Sequence, residues 1–233
     1  MVDTVNFFNR NWIRALENVL RRRYYPGYQL VDSKRVGVLQ TKYGAFHFSK
    51  ALQTYYNLFE QIETYKVDDL QKTDVVLDIG ANIGAFTVLA APKVRHVIAV
   101  EPLFCGELKM NIELNKLDNV RLLPYALGWV SPFSEHYGRI SFCGEDELVQ
   151  YIEFKDILAS CPERPNFLKI DCEGGEWSLR KEDLEGFRAV EAEVHNFDNK
   201  NPVKFLEMLE YIGFDCVHSI TKEGQMMISA RRA

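Results

Sequence analysis

Val75-Val76-Leu77-Asp78-Ile79-Gly80-Ala81-Asn82-Ile83-Gly84-Ala85-Phe86-Thr87 organises the remainder of the chain. Val75 to Ile79 is an apolar run too short for a globular helix and bounded by turn formers, so it reads as a strand buried on both faces of a parallel sheet. A glycine-containing turn follows. Phe86 to Ala91 then has the look of the first turns of a helix. Strand, turn and helix in that order open a nucleotide-binding α/β unit. The glycines at 80 and 84 are read as points where the backbone approaches a ligand too closely to tolerate a Cβ. Position 82 is asparagine, so the stretch is not the G-x-G-x-x-G dinucleotide fingerprint.

Toward the C-terminus, strand-like and helix-like segments alternate, which predicts a parallel sheet covered by helices on both faces. His96 to Pro102 is the second strand, and Gly106 to Leu117 the following helix. Val120 to Pro124, Phe167 to Asp171 and Ala189 to His195 are the next three strands, in a predicted order 3-2-1-4-5. Asn201 and Pro202 suit the N-cap and first position of a helix carrying Phe205, Leu209 and Ile212. A terminal hairpin is expected from Cys216–Thr221 and Met226–Ala230, joined by a Lys222-Glu223-Gly224 turn.

Toward the N-terminus, Thr4 caps a segment in which Phe8, Trp12, Leu16 and Leu20 form one apolar helical stripe. It ends in Arg21-Arg22-Arg23, a solvated helix terminus facing the negative end of the dipole. Tyr24-Tyr25-Pro26-Gly27 breaks it. Val36 to Gln40 and Ala45 to Phe48 suggest a hairpin about Lys42-Tyr43-Gly44, and Leu52 to Ile62 a second amphipathic helix. Residues 1–70 are thus expected to be a small α+β extension covering the cleft of a main domain at 71–233.

The chain is 233 residues long, 47% hydrophobic and 26% charged, which suits a globular protein with a full core. A net charge of −5 argues against a general nucleic-acid binder. No run is long enough for a membrane span and no signal-peptide core opens the chain. Its five cysteines include no C-x-x-C pair, so free thiols in a reducing cytoplasm are expected.

Open α/β sheets bind ligands at the carboxyl ends of their strands. Gly80, Glu101, Ala126 and Asp171 fall on that edge. Asp78 and the turn to Gly84 are expected to meet the amino-acid part of a nucleoside cofactor, with Phe86 and Pro102 flanking. Asn82, with the amides at the helix start, is positioned to bind its carboxylate. Glu101, 23 residues beyond Asp78, is expected to accept both hydroxyls of a ribose. Asp171, Glu173 and His195 converge on adjacent strand ends as candidate catalytic groups. His195, two residues from Glu193, titrates near neutrality and can accept a proton, with Glu193 or Asp171 fixing its tautomer. A structural histidine bonding a strand-end carbonyl is the alternative. The three groups could also hold a divalent cation, but their spacing does not demand one and no metal is expected. His136 and the acids Glu145 to Glu147 read as a solvated loop.

V-L-D-I-G-A-N-I-G, V-I-A-V-E-P, N-V-R-L-L-P-Y-A-L-G, F-L-K-I-D-C-E-G-G-E and E-V-H, over residues 74 to 197, resemble the FkbM family of methyltransferases. The resemblance implies the Rossmann-like class I fold, with seven mostly parallel strands ending in an antiparallel one. It also implies S-adenosylmethionine as cofactor and a hydroxyl on a sugar, glycan or other small metabolite as acceptor. Trp129 to Tyr151 departs from the family pattern, as does the extension. A nicotinamide-dependent oxidoreductase and a non-catalytic cofactor-binding protein are the alternative functions. Neither a nucleic acid nor a membrane is an expected partner.

Overall fold

The computed structural model describes residues 29–30, 36–41, 44–49, 64–128, 137–142, 145–196, 200–221 and 224–232. The two N-terminal helices, the Arg21–Arg23 cluster, the break at Tyr24–Gly27 and His136 lie outside them.

Seven strands form the main sheet: β4 (Val75–Ile79), β5 (His96–Val100), β6 (Val120–Leu123), β10 (Phe167–Ile170), β11 (Ala189–Val194), β12 (Asp215–Ile220) and β13 (Met226–Arg231). Their order is β6-β5-β4-β10-β11-β13-β12, so the expected order of the first five holds. β13 runs antiparallel to both its neighbours and the remaining pairs are parallel. The continuous apolar run of β4 is explained by burial on both faces. Leu77 and Ile79 join a cluster with Leu168, Ile170, Val190 and Ala192. Val76 faces the other way, into a cluster with Phe86, Val97 and Phe167.

The helices between strands are α1 (Ala85–Ala90), α2 (Cys105–Leu114), α3 (Phe154–Ser160), the one-turn α4 (Lys181–Leu184) and α5 (Val203–Tyr211). α5 begins one residue later than expected: Pro202 is its N-cap residue and Asn201 Oδ1 accepts from the Val203 amide at 3.0 Å. Among the described residues no helix is long and apolar enough to cross a membrane.

Two further sheets lie outside the main one. β7 (Ala126–Leu127) pairs with β9 (Glu145–Ile152), which pairs in turn with β8 (Tyr137–Phe142). Glu145 to Glu147 therefore belong to a strand, not to a loop. Their run of acids hides the pattern: Glu147 and Leu148 are exposed and Val149 is buried.

The third sheet, β1 (Gln29–Leu30), β2 (Val36–Thr41) and β3 (Gly44–Ser49), contains the expected hairpin. Two asparagines one turn apart, Asn111 on α2 and Asn115 at its C-cap, bind β3 as a neighbouring strand would. Asn115 accepts from the Ala45 amide at 2.8 Å and donates to the Ala45 carbonyl at 2.6 Å. Asn111 does the same for His47 and also donates to Ile83 O at 2.7 Å. Unpaired strand groups are thereby satisfied by side-chain amides.

Asp74, fully buried before β4, accepts from Arg188, from Asn166 at 3.0 Å and from the Gln71 amide at 2.8 Å. Burial would raise this carboxyl, but these donors hold it below its ordinary value. Stability from such a group is present above the unfolded carboxylate range and lost as pH falls through the folded value. Asp74→Asn should therefore cost about 2 kcal/mol at pH 7 and converge on wild type in acid, as read by urea unfolding at the two pH values.

Candidate active site

The turn after β4 is shaped by its glycines, though not for the reason the sequence suggested. Gly80 has φ +74°, and a Cβ there would lie 1.6 Å from the Asp171 carbonyl oxygen. At Gly84, with φ +92°, it would lie 2.5 Å from Leu108 Cδ1. Both missing side chains make room for protein, the end of β10 in one case and α2 in the other. Asn82, between them, is also left-handed at φ +53°. Its Oδ1 accepts from the Ile83 amide at 2.7 Å, and its own amide donates to Glu101 Oε2 at 2.8 Å. These bonds use the Asn82 oxygen and backbone amide and do not involve Nδ2, the side-chain donor that a cofactor carboxylate would need.

Glu101 is 5% exposed at the tip of β5. Besides Asn82 it accepts from the amides of Leu103 at 2.7 Å and Phe104 at 3.0 Å, both on Oε1. Burial raises this carboxyl and the three amides pull it back. A carboxylate offers about four acceptor positions, so one remains, on Oε2. That suits one ribose hydroxyl rather than the two expected.

Two predicted contact residues lie out of reach of solvent. Asp78 is fully buried, accepts from Thr87 Oγ1 at 2.5 Å and stands 3.3 Å from Lys169 Nζ. Lys169, opposite Asp78 in the β4–β10 register, is itself fully buried and donates to the Gly80 carbonyl at 2.7 Å. Burial opposes its charge, but Asp78 and Asp171 overcome that and keep it protonated. Asp78 is therefore an internal support of the turn, and Lys169 is a site residue that sequence reasoning missed. Phe86 has no exposed surface and packs against Tyr65 and Phe167, with ring centroids 5.9 and 6.3 Å away. Its ring is core. Ala126, in β7, is 6% exposed. Along this edge Gly80, Asn82, Pro102, Tyr125 and Asp171 are partly accessible and Glu173 is exposed.

The catalytic candidates do come together. One ligand atom from each of Asp171, Glu173 and His195 lies within 4.8 Å of the others. Asp171 follows β10, where its Oδ2 accepts from the Tyr65 hydroxyl at 3.0 Å. The chain then turns through Glu173 at φ +55° and Gly174 at φ +104° into a 3-10 turn, Gly175–Ser178. A Cβ on Gly175 would lie 2.6 Å from the Leu127 carbonyl, so the second glycine lets this turn seat on β7.

The turn buries Glu176 completely beneath His195. Glu176 Oε1 accepts from the His195 amide at 2.8 Å and lies 3.2 Å from its Nδ1, while Oε2 accepts from the Gly174 amide at 2.9 Å. Trp177 Nε1 donates to the His195 carbonyl at 3.0 Å. The group that orients His195 is therefore Glu176, not Glu193 or Asp171. His195 Nε2 faces Glu173 Oε2 at 3.4 Å, and the Glu173 side chain is 83% exposed. Burial works against the imidazolium, but Glu176, Glu173 and Asp171 raise its pKa to about 9. These carboxylates favour the charged ring over the neutral one.

The family model for the methyltransferase FkbM domain matches residues 78–220. No curated protein sequence gives a match. Among solved structures, M. jannaschii TYW2 in complex with AdoMet superposes with a TM-score of 0.51 at 16% identity, over 88% of this chain and 90% of that one. An rRNA methylase from Streptococcus thermophilus gives 0.50 at 8% identity, over 79% and 98%. At such identities the likeness shows the fold, that of class I methyltransferases.

Proposed function

The chain belongs to the FkbM methyltransferase family, and from that premise we propose that it methylates a hydroxyl oxygen of a sugar or other small metabolite. It is an S-adenosylmethionine-dependent methyltransferase. When bound, the cofactor supplies an electrophilic methyl group for in-line displacement by the acceptor oxygen. The observation that carries the acceptor reading is the convergence of Asp171, Glu173 and His195 beside the Gly80–Glu101 cleft. A hydroxyl must lose a proton as it is methylated, and this cluster is built to receive one.

The residues divide the work. Gly80, Asn82, Gly84, Glu101 and Pro102 shape the cofactor end, with Asp78 and Lys169 fixing the turn from below. Glu101 Oε2 offers its remaining acceptor position to the ribose. Glu173 and Asp171 take the proton, and Glu176 acts through His195 as a positioning residue. Residues 1–70 cover the cleft and, with the β8–β9 hairpin, select the acceptor. The net charge of −5 supports a small or glycan acceptor over a nucleic acid. Cys105, Cys161, Cys172 and Cys216 are free, in keeping with a cytoplasmic protein.

The test is calorimetric titration with S-adenosylmethionine, then S-adenosylhomocysteine release with hydroxylated metabolites and with RNA. Release with RNA alone would overturn the acceptor class. Glu101→Ala should weaken cofactor binding by about 1.5–3 kcal/mol, roughly 10- to 150-fold in Kd, by losing a charge-assisted bond. Unchanged affinity in a folded variant would remove Glu101 from the cofactor site.

A further inference from the structure

We propose that Asp171, Glu173 and His195 form a site for a divalent cation of the Mn2+/Mg2+ class, which binds and acidifies the acceptor hydroxyl, its proton passing to the Glu173 oxygen that the ion does not hold. The inference rests on the function proposed above and adds a metal to it. The three donor atoms lie within 4.8 Å of one another. Two ligands of one such ion, each about 2.1 Å from it, stand at most about 4.2 Å apart, so the cluster needs only a small contraction to close on a cation. One imidazole with two carboxylates is a donor set that Mn2+ accepts well.

The observation that goes beyond a group of acids is how the imidazole is held. His195 is 6% exposed, and Glu176, fully buried, accepts at its Nδ1. That pairing leaves Nε2 to point at Glu173 and Asp171. A carboxylate behind the distal nitrogen, with the proximal one aimed at further donors, is the outer-shell arrangement of metal-bound histidines. Asp171, only partly buried, is supported in the same way, its Oδ2 accepting from Tyr65, which leaves Oδ1 for an ion. The third, Glu173, is exposed, so the site has an open side for the acceptor oxygen. Charge agrees with geometry. Three carboxylates, Asp171, Glu173 and Glu176, surround the ring, while the nearby Lys169 is committed to Asp78 and Gly80.

The experiment uses the full chain stripped with EDTA and titrated with Mn2+, the free ion being followed by electron paramagnetic resonance with and without S-adenosylmethionine. One Mn2+ per chain is expected, with spin-echo modulation from a coordinated imidazole nitrogen. Glu173→Gln should raise the Mn2+ Kd by about tenfold or more while leaving Tm and cofactor affinity unchanged. His195→Ala should abolish the nitrogen modulation. Failure to bind Mn2+ in protein that binds S-adenosylmethionine would overturn the proposal and reduce the cluster to an imidazolium–carboxylate pair. Binding that ignores Glu173→Gln would overturn it as well. Mn2+ bound with imidazole coordination in protein that does not bind S-adenosylmethionine would uphold the metal site and count against the cofactor reading instead.

Discussion

Lys169→Met should lower the free energy of unfolding by about 3–5 kcal/mol, the usual cost of leaving one partner of a buried ion pair uncompensated. The ammonium has no exposed surface and lies 3.3 Å from Asp78 Oδ1, which makes no other bond. Methionine fills the space of the stem but supplies no charge, so the Asp78 carboxylate would be stranded with only Thr87 as donor. The Gly80 carbonyl would lose its donor too. Combining Lys169→Met with Asp78→Asn removes the stranded charge and should recover much of the loss, because a buried pair replaced as a pair is close to neutral. Urea unfolding of the two single variants and the double variant gives the coupling directly. A single-variant cost below about 1 kcal/mol would mean that Asp78 has another route to neutrality, and the turn would not depend on Lys169.

That pair also marks how far the sequence could be read. Runs apolar on both faces identify β4, β5, β10 and β11, and their order follows from class rules that depend on little else. A lysine inside Phe-Leu-Lys-Ile and an aspartate inside Val-Leu-Asp-Ile were both visible as charges in buried strands. Neighbouring strands carrying opposite charges in register are a signal for an ion pair. Glu176 gave no such signal. Its burial depends on a left-handed Glu173 and Gly174 that fold the chain back under β11, and no period of 2 or 3.6 encodes that turn. For the same reason Gly80 and Gly84 were assigned to a ligand. Sequence shows that a Cβ is absent, but only coordinates show that the Asp171 carbonyl and Leu108 occupy its place. Glu145 to Glu147 were read as a loop because acids mimic solvent exposure on any element.

His195→Ala should leave cofactor affinity within about twofold and cut turnover by roughly 10²–10⁴-fold, the range for losing the acid–base groups that the ring holds in place. The two effects separate because the ring sits beyond β11, whereas Gly80 and Glu101 lie beyond β4 and β5, on the far side of β10. Turnover falls because Glu173 and Asp171 are gathered around the imidazole, and without it neither has a fixed partner at Nε2. Stability is the competing explanation. Removing the ring leaves Glu176 buried with two backbone amides and the Cys172 thiol as donors, so the variant should melt earlier, at a cost of about 1–3 kcal/mol. Glu176→Gln separates the two, since it retains packing and an acceptor for the His195 amide but weakens the hold on Nδ1. If His195 acts in the reaction, Glu176→Gln should reduce turnover with little change in KM. Turnover is read as S-adenosylhomocysteine release well below Tm, with Mn2+ present at saturation. A His195→Ala enzyme that keeps more than about a third of the wild-type rate under those conditions would leave the imidazole a packing role only, with Asp171 and Glu173 receiving the proton unaided.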